Sequence, residues 1–203
     1  MSIRIVSEPA VYPINLALVK SHLRILGTQD DTVLSDIYIP SAAKTFEAET
    51  KRSLISRSVV QSFDAFPEEN FFLLETYPIL SPANLTVEYL NTDSVWTEFE
   101  DFTISINSFP TVIYAVDNWP TDIHRTALNA VRVSYTAGYG ANDAFIPGDI
   151  KHVLSLLIAD GFAYREATYA IPGIVVADLA WGTRTLLAKY RLSYYEHRGQ
   201  SRR

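Results

Sequence analysis

Residues 131–140 read VRVSYTAGYG, and a helical pattern opens a few positions later at Ile146-Pro147. Val131, Val133 and Tyr135 alternate with Arg132, Ser134 and Thr136, the two-residue period of a half-buried strand. Gly138 and Gly140 then end the alternation. Strand, glycines and helix allow two readings. A phosphate-binding loop would need the third glycine of a dinucleotide fingerprint or the lysine of a P-loop, and neither is present. Asp143 and Asp149 would also set negative charge beside any phosphate. The preferred reading is a sharp exit from a sheet. Gly138 and Gly140 supply positive φ, and Pro147 starts a helix where its missing N–H costs nothing. These three residues are assigned to a structural turn.

Upstream of this junction, residues 58–136 break into short β-like runs: SVVQSFDAF, FFLLE, LTVEYLN, DFTISIN, TVIYAV and AVRVSYT. Pro78, Pro82, Pro110 and Pro120 punctuate them. Short strands close in sequence predict antiparallel hairpins rather than βαβ units.

Helical patterns flank this block. In INLALVKSHLRIL, Leu16, Val19, Leu23 and Leu26 share one helix face, with Asn15 as N-cap and Gly27 as the stop. A second helix is predicted from Asp30-Asp31-Thr32, acids that suit the positive end of the helix dipole. Tyr38, Ala42 and Phe46 form its stripe. Pro40 lies inside it and predicts a kink or two short helices meeting there. Downstream, Ile150, Val153, Leu154, Leu157, Ile158 and Phe162 make the helix in IPGDIKHVLSLLIADGFAYREAT apolar around much of its circumference, so it is placed centrally. YAIPGIVVADLAWG reads as a loop or short extended segment, and TRTLLAKYRLSYYEHR as a last helix. The predicted fold is α+β. Helices of residues 14–57 and 146–197 form a bundle, an antiparallel β lobe of residues 58–137 is inserted, and a basic tail covers 198–203.

The 203 residues are 48% hydrophobic and 20% charged, ordinary for a globular chain with one core or two small lobes. Cysteine is absent, which excludes disulfides and thiolate metal sites. MSIRIVSEPAVYP has no long apolar stretch, and no run of about 18 apolar residues occurs, so neither a signal peptide nor a membrane span is expected. His22, His124, His152 and His197 stand at no metal-ligand spacing, and there is no nucleophile elbow. The neighbouring acids Asp30-Asp31, Glu68-Glu69 and Glu100-Asp101 would point apart on a helix or strand. No catalytic residue, metal or cofactor is expected.

Charge is distributed unevenly. The net charge is −6, yet residues 58–124 hold eleven acids and no Lys or Arg. That block is either a solvated surface or one that repels polyanions or meets a basic partner. From Arg184 on, Arg184, Lys189, Arg191, Arg198, Arg202 and Arg203 face only Glu196. The segment reads as a solvated tail, a docking tail for a protein, or a nonspecific DNA contact that the acidic middle opposes.

The ordered set of pieces resembles the head–tail connector (adaptor) proteins of tailed bacteriophages, which form a ring beneath the portal. The resemblance runs through LALVKSHLRI, Asp30-Asp31, ETKRSLISRSVVQSFDAFP, YPILSPANLTVEYLNTDSVWTEFEDFTI, the NWP of Asn118–Pro120, VRVSYTAGYG, IPGDIKHVLSLLIADGFAYREAT and LLAKYR. Two positions depart from it. Family members usually carry glycine where Lys51 stands and an uninterrupted helix where Pro40 stands.

The resemblance implies one connector domain over residues 1–203 with a structural role and no catalysis. The implied partners are the portal, neighbouring copies in a ring of roughly twelve, and the next neck, stopper or tail protein. Double-stranded DNA would pass through the lumen without specific binding, and no membrane is involved. The implied location is the virion neck, with assembly in the bacterial host cytoplasm. Glu68, Glu69, Glu75, Glu88, Asp93, Glu98, Glu100 and Asp101 become candidates for an acidic channel or docking surface. The six basic residues from Arg184 become candidates for portal docking. The alternative is a DNA-binding packaging factor.

Overall fold

The computed structural model describes residues 2–7, 9–106, 108, 110–163 and 181–191. The chain forms two compact units: a β unit of residues through Pro9 with Ser56–Tyr139, and a helical unit of Ala10–Ile55 with Gly140–Ser193. The architecture is α+β, with helices before and after antiparallel sheets, as the hydrophobic periods predict.

The β unit contains eight strands: β1 (Ser2–Ile5), β2 (Arg57–Phe63), β3 (Phe71–Leu74), β4 (Thr86–Leu90), β5 (Trp96–Phe99), β6 (Phe102–Ser105), β7 (Thr111–Ala115) and β8 (Val131–Ala137). Five form a sheet in the order β1-β2-β8-β4-β5 and three form a sheet in the order β3-β7-β6. Every named pairing is antiparallel. β8 is central, and its alternation is read out as expected. Val131, Val133, Tyr135 and Ala137 are buried, while Arg132, Ser134 and Thr136 are half-buried on the other face. The inner faces share one apolar core in which Val59, Val87, Tyr89 and Val133 meet Phe72, Leu74, Ile113 and Trp119.

Each of the six runs contains a strand. β1 and β5 lie outside those runs. β5 has only four residues, and β1 is an isolated SIRI whose side chains are all exposed, so its strand character comes from pairing with β2.

Gln61 is fully buried on the inner face of β2 and ties the two sheets together. Its amide donates to the Leu73 carbonyl at 3.1 Å and accepts from the Glu75 N–H at 3.1 Å and the Tyr135 hydroxyl at 3.2 Å. A buried amide so satisfied specifies the packing of β3 against the larger sheet.

The helical unit contains α1 (Leu16–Leu23), α2 (Asp31–Val33), a π turn (Leu34–Tyr38), α3 (Ile39–Thr50), α4 (Gly148–Ala163) and α5 (Trp181–Tyr190). α4 is central, packing against α1, α3 and α5. Its Ile150, Val153, Leu154, Leu157 and Ile158 are buried, and the Phe162 ring meets Tyr38 edge-on at 5.7 Å. Asn15 caps α1 by accepting from the Leu18 N–H at 2.8 Å.

Four local expectations are changed or refined. α1 stops at Arg24, which takes the left-handed conformation (φ 58°), not at Gly27, and Leu26 is fully exposed rather than on the apolar stripe. Pro40 stands at the junction of two helical elements, the π turn Leu34–Tyr38 and α3, and the backbone keeps right-handed helical angles across it. The preceding turn widens, with the Ile39 N–H bonding the Leu34 carbonyl, so Pro40 falls in the first turn of α3 where its missing donor is tolerated. Pro147 immediately precedes α4, and its carbonyl accepts from the Lys151 N–H at 3.1 Å. Finally, only Gly138 of the two turn glycines has positive φ, at 138°. Gly140 is needed for space, because a Cβ there would overlap the Phe145 ring.

Lys51 ends α3 at φ 59°, with its N–H bonded to the Glu47 carbonyl at 2.9 Å. The lysine thus fills a left-handed helix-end position that favours glycine, the residue the connector resemblance places there.

Candidate functional site

The chain's acid excess lies in the β unit. Residues 56–139 carry eleven acids against Arg57, Arg125 and Arg132, whereas residues 10–55 and 140–193 together carry ten acids and ten bases. Three loops of the β unit are laced at one end by hydrogen bonds. The Val116 N–H donates to the Asp101 carbonyl at 2.9 Å, and the Ala115 N–H to the Asn70 carbonyl at 3.0 Å. The Asn70 amide donates to the Asp117 carbonyl at 3.1 Å, and the Trp119 indole to the Glu69 carbonyl at 3.0 Å. Backbone groups consume these bonds, so the carboxylates of Glu68, Glu69, Glu100, Asp101 and Asp117 remain on exposed residues. Asp117 was not among the sequence-derived candidates.

The other candidate acids do not join that end. Glu75 is half-buried, its N–H held by Gln61. Asp93 sits in the β4–β5 turn, where its N–H is held by the Asn91 side chain. Glu88 and Glu98 are cross-strand neighbours on the outer face of the five-stranded sheet. Glu88 is neutralised there by Arg132, opposite it on β8. Two parallel hydrogen bonds join them, Nε to Oε2 at 2.8 Å and Nη2 to Oε1 at 2.9 Å. These bonds hold the Glu88 carboxyl below the usual carboxylate range and raise the guanidinium. The same guanidinium lies 3.9 Å from the centroid of the exposed Trp96 ring.

The candidate basic residues fare differently. Lys189 and Arg191, at the end of α5, face carboxylates of their own unit. Lys189 reaches Asp149 at 3.4 Å, and Arg191 pairs with Glu49. Between them the Tyr190 hydroxyl donates to Asp149, while the Arg52 Nε donates to the Tyr190 carbonyl at 3.2 Å. The hydroxyl and then the ammonium lower the Asp149 pKa. This end of α5 is a clamp onto α3 and α4. Arg184 is exposed on α5. Arg198, Arg202 and Arg203 lie outside the described residues, as do Arg165 and Glu166 near the end of the IPGDIKHVLSLLIADGFAYREAT stretch.

His22 on α1 and His152 on α4 approach edge-on, with ring centroids 6.3 Å apart. Sequence spacing could not reveal this, because the contact is made between helices. Among the described residues no cluster of three or more His, Asp or Glu could hold a metal ion. An open cleft of about 400 Å³ in the β unit is lined by Val6, Ser58, Val60, Asn84, Ser134 and Thr136 among others. These side chains offer hydroxyls and an amide, with no acid or base to activate them. Among the described residues no helix is long and apolar enough to cross a membrane.

A solved structure of the virion of a native gene transfer agent particle contains a chain that superposes with a TM-score of 0.73 at 21% identity, over 94% of this chain and 95% of that one. The chain shares that fold. The neck of the native particle, computed with C12 symmetry, matches with a TM-score of 0.70 at 21% identity, and that of the empty particle, with C6 symmetry, with 0.70 at 20%. Both matches again cover 94% of this chain and 95% of the other. No protein-family profile matches the sequence. No curated protein matches it either.

Proposed function

We propose that this chain is a structural subunit of the neck of a tailed phage or phage-like particle: a head–tail connector that binds the portal, extends the DNA channel and carries the next neck or tail protein. The observation that supports it is the near full-length likeness to chains of gene transfer agent virion and neck structures. It agrees with the connector resemblance read from the sequence. The role is structural rather than enzymatic. In this reading the chain repeats around a ring of roughly twelve copies, whose head-to-tail contacts close under rotation.

The charge map acquires a purpose in such a ring. The exposed acids at the laced end of the β unit present repeated negative charge to DNA or to a basic partner. Where they line the lumen, they keep the duplex from adhering, since neutralisation of phosphates is what makes proteins bind it. Portal docking by the basic residues has two different sources. Lys189 and Arg191 would have to exchange Asp149 and Glu49 for portal groups. Arg198, Arg202 and Arg203 are the stronger candidates on sequence.

Quantitative mass spectrometry of purified particles tests the reading. About one copy per portal subunit is the expected result. Absence of the chain from particles, together with salt-sensitive duplex binding by the isolated protein, would replace it with the packaging-factor reading.

A further inference from the structure

Among the described residues, the five-stranded sheet ends in two unpaired edge strands, β1 and β5. Antiparallel pairing through the whole sheet makes these two edge strands run in the same direction. Their free groups can be read from the ladder. Val6 donates to the Ser58 carbonyl at 3.0 Å, so Val6, Arg4 and Ser2 turn their backbone groups toward β2. Ile3 and Ile5 turn theirs outward. On the other side, Asn91 donates to the Val95 carbonyl at 3.0 Å, so Val95, Thr97 and Phe99 face β4. Trp96 and Glu98 turn theirs outward.

The geometry points to a continuous intersubunit sheet in which β5 of one copy pairs in parallel with β1 of the next. This rests on the ring reading above. In a parallel ladder, a residue whose groups face the partner sits opposite one whose groups face away, and bonds that residue's two neighbours. Glu98 therefore sits opposite the neighbouring copy's Arg4 and bonds Ile3 and Ile5 of that copy. The same register sets Trp96 opposite Ser2, Thr97 opposite Ile3, and Phe99 opposite Ile5. Arg4 and Glu98 share the outer face, through Val60 and Glu88 beside them. Neither makes an ion pair among the described residues. Ile3 and Ile5, 40% and 43% exposed, gain cover from Thr97 and Phe99 on the inner face. Shifting the register by two residues loses either the charge pair or half of the ladder. Neither strand carries the lysine or proline that commonly blunts an open edge.

Five strands at about 4.8 Å span roughly 24 Å of arc, and about twelve copies close a ring roughly 90 Å across.

The absence of cysteine makes the test clean. The full chain carrying both Arg4→Cys and Glu98→Cys is assembled into rings or particles and oxidised. A ladder of covalent oligomers on a non-reducing gel is expected, because facing strand positions lie within disulfide reach. Each single variant should give no ladder. Native mass spectrometry of Arg4→Glu and of Glu98→Arg should show about tenfold weaker assembly, restored in the Arg4→Glu/Glu98→Arg double variant. Wild-type rings of normal copy number without a ladder from the double-cysteine variant overturn the edge pairing and leave the connector reading intact. A wild-type chain that never assembles, even in particles, overturns both.

Discussion

The Arg132 guanidinium grips Glu88 across two adjacent strands by a pair of parallel hydrogen bonds at 2.8 and 2.9 Å. The two residues are 44 positions apart in the chain. The pair neutralises one of the eleven acids of residues 58–124 and gives the outer sheet face one fixed charge pattern.

Arg132→Ala should destabilise the β unit by about 1 kcal/mol, because the pair is half-exposed but bidentate and stacked on Trp96. Arg132→Lys should restore only part of this. A double-mutant cycle with Glu88→Gln in urea unfolding reads the coupling. The Glu88 pKa is lowered on folding, so its contribution is present above the unfolded carboxylate value and is lost as pH falls through the folded one. Equal acid sensitivity of wild type and Glu88→Gln would contradict this.

Gln61→Leu should cost about 3 kcal/mol, since it removes the partner of the part-buried Glu75 N–H and Leu73 carbonyl and one partner of the buried Tyr135 hydroxyl. Burial pushes the Tyr135 phenol up to about 12. Its folded pKa exceeds the unfolded one, so this contribution is complete below pH about 10 and is lost as pH rises toward about 12. Spectrophotometric titration should show one tyrosine ionising late, or together with alkaline unfolding.

Tyr190→Phe removes the hydroxyl that Asp149 accepts. The Asp149 pKa should then rise toward the ordinary aspartate value, as carboxyl NMR titration can follow. A lowered folded pKa stabilises above the unfolded value and is lost as pH falls through the folded one. The variant should therefore lose stability at neutral pH and differ little from wild type in strong acid.

Lys51→Gly should stabilise the helical unit by about 1 kcal/mol, by relieving a left-handed conformation at φ 59°. Gly140→Ala should do the reverse by about 2 kcal/mol, because its Cβ meets the Phe145 ring. Thermal unfolding of the two variants against wild type gives both signs.

Neutralising Glu68, Glu69, Glu100 and Asp101 to their amides should leave folding unchanged, because only their backbones are used in the loop lacing. If the chain forms the proposed ring, assembled rings of that variant should retain duplex DNA at low salt, with retention falling as salt rises. Retention equal to wild type in a filter-binding assay would remove these acids from the channel.

What the sequence determined by itself was local. Alternation identified β8, short β-like runs bounded by turn residues located β2 and β4, apolar residues around much of its circumference placed α4 at the centre of the helices, and Asn15 was legible as a cap. Such features depend on neighbours within a turn or a strand, so the residues carry them in order. The connector reading came from the order of the pieces. Tertiary structure alone decided the rest. It added SIRI at residues 2–5 to a sheet edge, joined Gln61 to Tyr135 across 74 positions, gathered the acids of three loops, and gave Lys189 and Arg191 carboxylate partners. It also moved the stop of α1 from a glycine to Arg24 and set Pro40 in the first turn of α3, behind a widened turn. These outcomes depend on pairings between distant segments, whose geometry one-dimensional spacing does not contain.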